Sequence, residues 1–290
     1  MTKGISSHLY FFILLAVSCC TYGNDKPVLI TYPVTQEPLH HIYAMIINGI
    51  KNKVPDAQQL PLTEPIGDFN AAVASLRPEV VIALGKPAAE AVKNSNYHHQ
   101  AWVGMTYFNP TEYKGISLVV DSQQIIARLS KILPDLKRVF IVQEQSQRTI
   151  EGKPSSAAHL LPSLVYEDCL DMLQCIRFLD RLLKREATAT DAVFIPANLP
   201  KNILYEIAKI AWEKKIILLS TNLQHLENGV VAVFYPDAFG LGVQLANLIA
   251  SKTDYEPLQA VSLALNRRVA GHLEIEFSPA TLELFTVKIK

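Results

Sequence analysis

The chain has 290 residues, of which 49% are apolar and 19% are charged, and its formal net charge at pH 7 is zero. That length is sufficient for one large domain or for two lobes with buried cores. No basic run longer than two residues follows the N-terminal segment and no later apolar run could span a membrane, which excludes nucleic-acid binding and an integral membrane role.

The first 23 residues have the layout of a secretory signal. Lys3 provides a basic start, and the apolar stretch Leu9–Val17 is too short to cross a bilayer at about 1.5 Å per residue. Small residues follow, and Thr21-Tyr22-Gly23 is a suitable cleavage site. The sequence therefore predicts export to the periplasm, and a buried N-terminal helix is the less favoured alternative. Residues 16–19 also resemble a lipoprotein cleavage box, so lipid attachment at Cys19 is a further alternative.

Strands and helices alternate through the first half of the chain. β-Branched and aromatic residues predict strands at 28–32, 79–84, 102–105 and 116–120. Apolar residues at helical spacing predict helices at 39–54 and 71–76, one that starts near Pro87, and one that follows the capping box of Asp121 and Gln124.

The same alternation restarts in the second half. The predicted strands are 138–142, 161–165, 192–195, 216–219 and 230–235, and the predicted helices are 171–184, 203–213 and 239–250. Such alternation is typical of parallel sheets wound by right-handed crossovers, and two successive runs of it indicate two α/β lobes. Ligands of open α/β sheets bind beyond the carboxyl ends of the strands, so the turns there are the candidate site.

Cys169 and Cys175 lie six residues apart at the start of a predicted helix. On one regular helix their side chains would point to different faces, so a disulfide requires Cys169 to lie before the first turn. The alternative is a pair of small buried apolar side chains.

Five blocks of sequence resemble one family. They are 78–92 (PEVVIALGKPAAEAV), 115–117 followed by 133–139 (LPDLKRV), 191–197 (DAVFIPA), 229–232 followed by 237–240, and 265–275 (LNRRVAGHLEI). In this order they resemble ABC-transporter substrate-binding proteins with a type I periplasmic-binding fold, the family that includes tryptophan- and tyrosine-binding members. Glu274 stands where the family usually has glycine, and the loop 33–39 keeps the family's shape but not its residues, which leaves the ligand open.

The resemblance implies two Rossmann-like lobes with parallel sheets, joined by a three-crossover hinge near 117–120, 228–233 and 255–260. Residues 24–118 and 231–256 would form the first lobe. Residues 119–230 and 257–290 would form the second.

The resemblance also implies a ligand cleft lined by turns of both lobes. The first lobe would contribute Thr35, Gln36, Glu37, Gly85, Lys86, Thr106 and Tyr107. The second would contribute Gln143, Glu144, Gln145, Pro196, Ala197, Asn198, Ser220 and Thr221, with Tyr235 and Asp237 at the returning crossover.

These residue types suit a small polar ligand with an apolar or ring portion. Tyr107 and Tyr235 would cover the ring, and Asp237 could hold an ammonium group. Helix N-termini after Gly85 and Thr221 could take a carboxylate. The alternative is that these side chains only cap turns and helices.

Other chemistry finds little support in the sequence. Gly240-Leu-Gly242 begins like a dinucleotide fingerprint, but Leu245 occupies the third glycine position. The pairs His40-His41 and His98-His99 lack further ligands at metal-binding spacing and are better explained as surface or turn residues. No nucleophile motif is present, so we expect no enzyme activity, cofactor or metal.

The sequence thus predicts a monomeric periplasmic solute-binding protein that binds an amino acid or similar small metabolite and serves a membrane permease of an ABC transporter. The permease is implied by the resemblance alone. The alternative is a ligand-sensing or scaffold protein without its own transporter, which reports to a membrane receptor.

Overall fold

A computed structural model of the chain describes residues 27–151 and 162–290. The predicted signal and Cys19 lie outside the described residues. Within the described ranges, no helix combines the length and the apolar character that crossing a membrane requires.

Strands and helices alternate along most of the chain. In chain order the strands are β1 (Val28–Pro33), β2 (Gln58–Leu62), β3 (Val80–Leu84), β4 (Ala101–Gly104), β5 (Lys114–Asp121), β6 (Arg138–Glu144), β7 (Ile150–Glu151), β8 (Ser163–Cys169), β9 (Asp191–Phe194), β10 (Ile217–Ser220), β11 (Ala232–Pro236), β12 (Tyr255–Leu258), β13 (Val261–Asn266) and β14 (Val287–Ile289). The helices are α1 (Leu39–Lys51), α2 (Phe69–Val73), α3 (Lys86–Lys93), α4 (Ser122–Ile132), α5 (Met172–Arg181), α6 (Lys201–Glu213), α7 (Ala238–Ala250), α8 (Arg267–His272) and α9 (Pro279–Glu283).

The strands form two sheets of seven strands each. The first has the order β12-β5-β4-β3-β1-β2, with β7 paired to β5, and all its pairings are parallel. The second has the order β14-β13-β11-β10-β9-β6-β8, and its β11–β13 pair is antiparallel. The predicted α/β class with two mostly parallel sheets is confirmed.

Apart from the two-residue β7, the described main chain passes between the sheets at three crossovers. It enters the second sheet after β5 through α4, returns after β11 through α7, and crosses again between β12 and β13. The predicted lobe boundary at residue 231 falls before β11, but β11 pairs with β10 and β13 in the second sheet, so the return follows Pro236. An apolar run such as Val230–Tyr235 fits either sheet, and sequence periodicity does not specify its partners.

Helix α7 packs against α1 at two glycines. A Cβ on Gly49 would lie 2.1 Å from the carbonyl oxygen of Phe239, and one on Gly242 would lie 2.0 Å from that of Ile46. The two backbones therefore touch, which attaches the returning helix to the first sheet. The second sheet has its own aromatic contact, with the ring centroids of Phe194 and Phe234 5.3 Å apart.

Candidate functional site

The predicted site residues lie at the carboxyl ends of parallel strands in both sheets. In the first sheet they follow β1, β3 and β4, and in the second they end or follow β6, β9, β10 and β11. Since parallel strands end at the same edge, each sheet presents its candidate residues along one edge.

In the second lobe, direct polar contacts join the ends of three strands. The side-chain amide of Asn198 donates to Glu144 Oε1 at 3.4 Å, which links the segment after β9 to the end of β6. The amide of Asn222 donates to the carbonyl of Ala197 at 2.7 Å, and its backbone N–H donates to Ser220 Oγ at 3.0 Å. The structure thus forms one contiguous polar edge across β6, β9 and β10. We call Glu144, Ala197, Asn198, Ser220 and Asn222 the polar edge.

A buried histidine, His225, contacts Ser220 of the polar edge. His225 Nδ1 lies 2.9 Å from Ser220 Oγ, and the ring is 5% exposed. Burial lowers the pKa of His225, so the ring is neutral near pH 7. Asn222 also accepts from the N–H of Gln224 at 3.0 Å and caps the short 3₁₀ helix Leu223–Asn228.

Asn222 and His225 were absent from the sequence prediction. Asn222 follows a predicted strand-end pair directly, so the rule that selected its neighbours could have included it. His225 had no such signal, because its role depends on the turn that brings it back under Ser220.

The side-chain amide of Gln143 forms hydrogen bonds within the protein. Its Oε1 accepts from the backbone N–H groups of Thr149 and Ile150, each at 3.3 Å, and its Nε2 donates to the Ile150 carbonyl at 3.3 Å. Nε2 also donates to Asp168 Oδ1 at 3.4 Å, and Asp168 pairs with Arg148 at 2.6 Å. The neighbouring Gln145 is exposed.

In the first lobe, the hydroxyl group of a tyrosine lies against the glycine turn after β3. Gly85 has a φ of +82°, and a Cβ there would lie 2.2 Å from Tyr43 Oη. Burial raises the pKa of Tyr43, and the ring stacks on Tyr32 at 6.1 Å. The sequence prediction missed Tyr43, because its place in the apolar stripe of α1 indicated the core. Lys86 points to solvent and lies 3.8 Å from Glu90.

The other first-lobe candidates follow β1 and β4. Thr35 Oγ1 is buried, and the described residues offer it no hydrogen-bond partner. Gln36 and Glu37 are exposed, and so is Tyr107, at 51%. Thr106 is half-buried.

The returning crossover and the turns of the second lobe complete the set. Tyr235 is half-buried and packs against buried apolar side chains of the second sheet and its helices. Asp237 accepts from the N–H of Gly240 at 3.2 Å at the start of α7. Pro196 is buried, and Thr221 Oγ1 is a second buried hydroxyl to which no described residue bonds.

A cavity of about 500 Å³ opens in the first lobe. Its walls come from the loop after β2 and from α3, namely Glu64, Pro65, Ile66, Gly67, Asp68, Phe69, Asn70, Pro87, Glu90, Ala91 and Asn94. None of the predicted ligand-binding residues lines it, although its walls begin close to the carboxyl ends of β2 and β3. No cluster of three or more His, Cys, Asp or Glu residues suited to a metal ion occurs in residues 27–151 and 162–290.

Cys169 and Cys175 form a disulfide with a Cα–Cα distance of 5.3 Å. Cys169 is the last residue of β8 and precedes α5, which is the placement that the bridge requires. The disulfide adjoins the polar edge, because Cys169 is in register with Glu144 on the adjacent strand.

No protein-family model matches the chain, and a comparison with curated proteins likewise finds no match. Solved structures do share the fold. The ligand-free, open structure of a substrate binding protein with adhesive properties from Clostridium difficile has a TM-score of 0.59 and 14% identity, covering 91% of this chain and 99% of its own.

Two further structures lie at a TM-score of 0.50. An ABC domain in complex with L-Trp from Streptococcus pneumonia has 12% identity and covers 91% of this chain and 100% of its own. A conserved domain protein from Vibrio cholerae has 17% identity with the same coverage. At the level of the fold, these likenesses confirm the predicted resemblance to ABC-transporter substrate-binding proteins of the type I periplasmic-binding fold.

Proposed function

We propose that this protein is the periplasmic solute-binding component of an ABC-type uptake system. It holds a small ligand between its two lobes and releases it chemically unchanged. The C. difficile substrate binding protein and the S. pneumonia ABC domain in complex with L-Trp, which share the fold, support the ligand-binding part of this proposal.

The observation that supports the proposal most is the polar edge of the second lobe. Polar groups of Glu144, Asn198 and Ser220 are held by direct contacts at the ends of three parallel strands, which is where open α/β sheets bind ligands. Their rigid support reduces the cost of ordering side chains when a ligand binds.

Each lobe also contributes a buried hydroxyl without a partner among the described residues, Thr35 in the first and Thr221 in the second. A ligand that bonds to both lobes binds the closed arrangement more tightly than the open one. Three crossovers form a suitable hinge for such closure.

Export and transport complete the proposal. The N-terminal signal delivers the chain to the periplasm, and the closed, ligand-bound monomer is recognised by a membrane permease. A pull-down of the permease from the native membrane, dependent on ligand, is the corresponding test.

A thermal-shift screen of the purified protein against amino acids, amines, nucleosides, sugars and metal ions tests the binding function. A ligand at about 100 times its dissociation constant adds about 2.7 kcal/mol to the free energy of unfolding. Asn198→Ala should weaken binding of any hit, and Asn202→Ala, which alters an exposed residue of α6, should not. If no compound raises the melting temperature of protein shown by mass spectrometry to be free of carried-over ligand, the proposed function is wrong.

A further inference from the structure

Glu144 is a buried carboxylate held by weak, neutral donors. The residue is 9% exposed, and its oxygens accept from Asn198 Nδ2 and from Ser146 Oγ, both at 3.4 Å. These distances lie at the long end of the hydrogen-bond range. A carboxylate taken out of water normally acquires a cation or several strong donors, because its desolvation is costly.

Within the part of the chain that the structure describes, no lysine or arginine pairs with this carboxylate. The nearby Arg148 already pairs with Asp168 at 2.6 Å, and the histidine of this region, His225, is neutral because burial lowers its pKa. Among the described residues, the Glu144 carboxylate at the polar edge therefore has only neutral hydrogen-bond partners.

The predicted cleft as a whole also has more acidic than basic side chains. Its charged residues are Glu37, Lys86, Glu144 and Asp237, and the single base, Lys86, is exposed and lies near Glu90. Three acids against one solvated base favour a positively charged ligand.

Most of the helix starts at these edges, with α1 and α6 as exceptions, are poorly suited to an anion. Helices α4, α5 and α7 have the N-cap residues Asp121, Asp171 and Asp237, whose carboxylates already accept from first-turn N–H groups. Helix α3 has Pro87, which lacks an N–H, at its second position, and Asn222 caps the 3₁₀ helix after β10. The helices α1 and α6 begin without a side-chain cap. A carboxylate near the three aspartates would meet like charge instead of free N–H donors.

We propose that the ligand is a small organic amine that carries a primary ammonium group and no carboxylate, and that Glu144 binds this ammonium group. This inference rests on the proposed function, and it names the ligand class of the same site. It replaces the sequence-based expectation of an amino acid, since the turns expected to hold the carboxylate are blocked or capped by the chain itself.

Binding constants of matched compounds test the ligand class without any mutation. Tyramine, tryptamine, phenethylamine and putrescine are compared by calorimetry with tyrosine, tryptophan, phenylalanine and ornithine, and with the N-acetylated amines and neutral hexoses. At least one amine should bind about ten times more tightly than its parent amino acid and than its N-acetyl form. Tighter binding of the amino acid, or equal binding of the N-acetyl form, overturns the inference.

The variant Glu144→Gln then tests the residue. It keeps the shape of the side chain and an acceptor for Asn198, and it should weaken amine binding at least about tenfold. The exposed acid Glu227 of the same lobe provides the control Glu227→Gln, which should bind as the wild type does. Unchanged amine binding by folded Glu144→Gln contradicts the assignment. Binding of a neutral hexose alone would overturn the amine inference and leave the solute-binding function standing, whereas failure of every compound would contradict both.

Discussion

The side-chain amide of Gln143 bonds to both backbone polar groups of Ile150. Gln143 lies in β6 of the second sheet, and Ile150 lies in β7, which pairs with β5 of the first. The chain therefore contacts the first sheet here in addition to its three crossovers. This link adjoins the first crossover, because β7 pairs with Val120 and Asp121 at the end of β5.

Gln143→Leu should loosen this link. It leaves the N–H groups of Thr149 and Ile150 and the carbonyl of Ile150 without the partner they have now, so the free energy of unfolding should fall by about 1–3 kcal/mol. Amide hydrogen exchange at Ile150 should become faster. The exposed Gln145 offers the control Gln145→Leu, expected within about 0.5 kcal/mol of the wild type. Unaltered exchange at Ile150 in the Gln143 variant would contradict the link.

His225 should make the protein less stable in mild acid. Burial lowers its pKa in the folded state, so below the unfolded value of about 6.5 the unfolded chain binds the proton first, and stability falls as pH decreases. Denaturant unfolding from pH 7.5 to 5 should show this decrease. His225→Asn should remove that part of the pH dependence, and His99→Asn, at an exposed position, should retain it.

Asp191 is expected to contribute more stability than an exposed acid in a similar pair. Burial alone would raise the pKa of Asp191, but hydrogen bonds from Arg138 and from Thr188 outweigh it and lower the pKa. This stabilisation is present above a pH of about 4 and is lost as pH falls through the lowered pKa. Asp191→Asn should cost about 1.5–3 kcal/mol, because a buried amide cannot replace the charge-assisted hydrogen bonds that the carboxylate accepts from Arg138 and Thr188.

The exposed pair of Lys114 and Asp254 is the matched comparison for that variant. Its atoms are 3.0 Å apart and Asp254 is 71% exposed, so Asp254→Asn should cost less than about 1 kcal/mol. Equal losses in the two variants would contradict the importance of burial.

The fold was more predictable from sequence than the assignment of each strand to a sheet. Apolar runs located β1, β3, β6 and β9, because buried parallel strands are apolar on both faces. The strand β2 (QQLPL) was not predicted, because it lies at the sheet edge, where its polar residues are exposed and no apolar run marks it. The two-residue β7 is defined only by its partners in the folded chain.

The site was predictable to the extent that it follows from strand ends. Glu144, Asn198 and Ser220 belong to the predicted set because each ends or follows an apolar strand, and hydrogen bonds join these strand ends in one edge. Tyr43 and His225 were missed because tertiary packing alone brings them to Gly85 and Ser220. Sequence periodicity indicates which face of an element a residue occupies, but it does not indicate the tertiary contacts of that residue.

The disulfide is expected to stabilise the end of β8. Closing so short a loop should contribute about 2 kcal/mol by restricting the unfolded chain. The melting temperature should therefore fall in the presence of dithiothreitol, and that of the double variant Cys169→Ala, Cys175→Ala should not respond to it. A wild-type melting temperature that ignores complete reduction, verified by thiol titration, would contradict this stabilising role.

The contact of Gly49 with Gly242 bears on how the chain folds. The first sheet needs α7 and β12, and the second needs β13 and β14, all of which come from the last part of the sequence. Neither lobe is a contiguous folding unit, so a nascent chain that stops after Pro236 leaves both sheets unfinished. Folding must wait for these distant partners, and contacts so far apart along the chain form slowly.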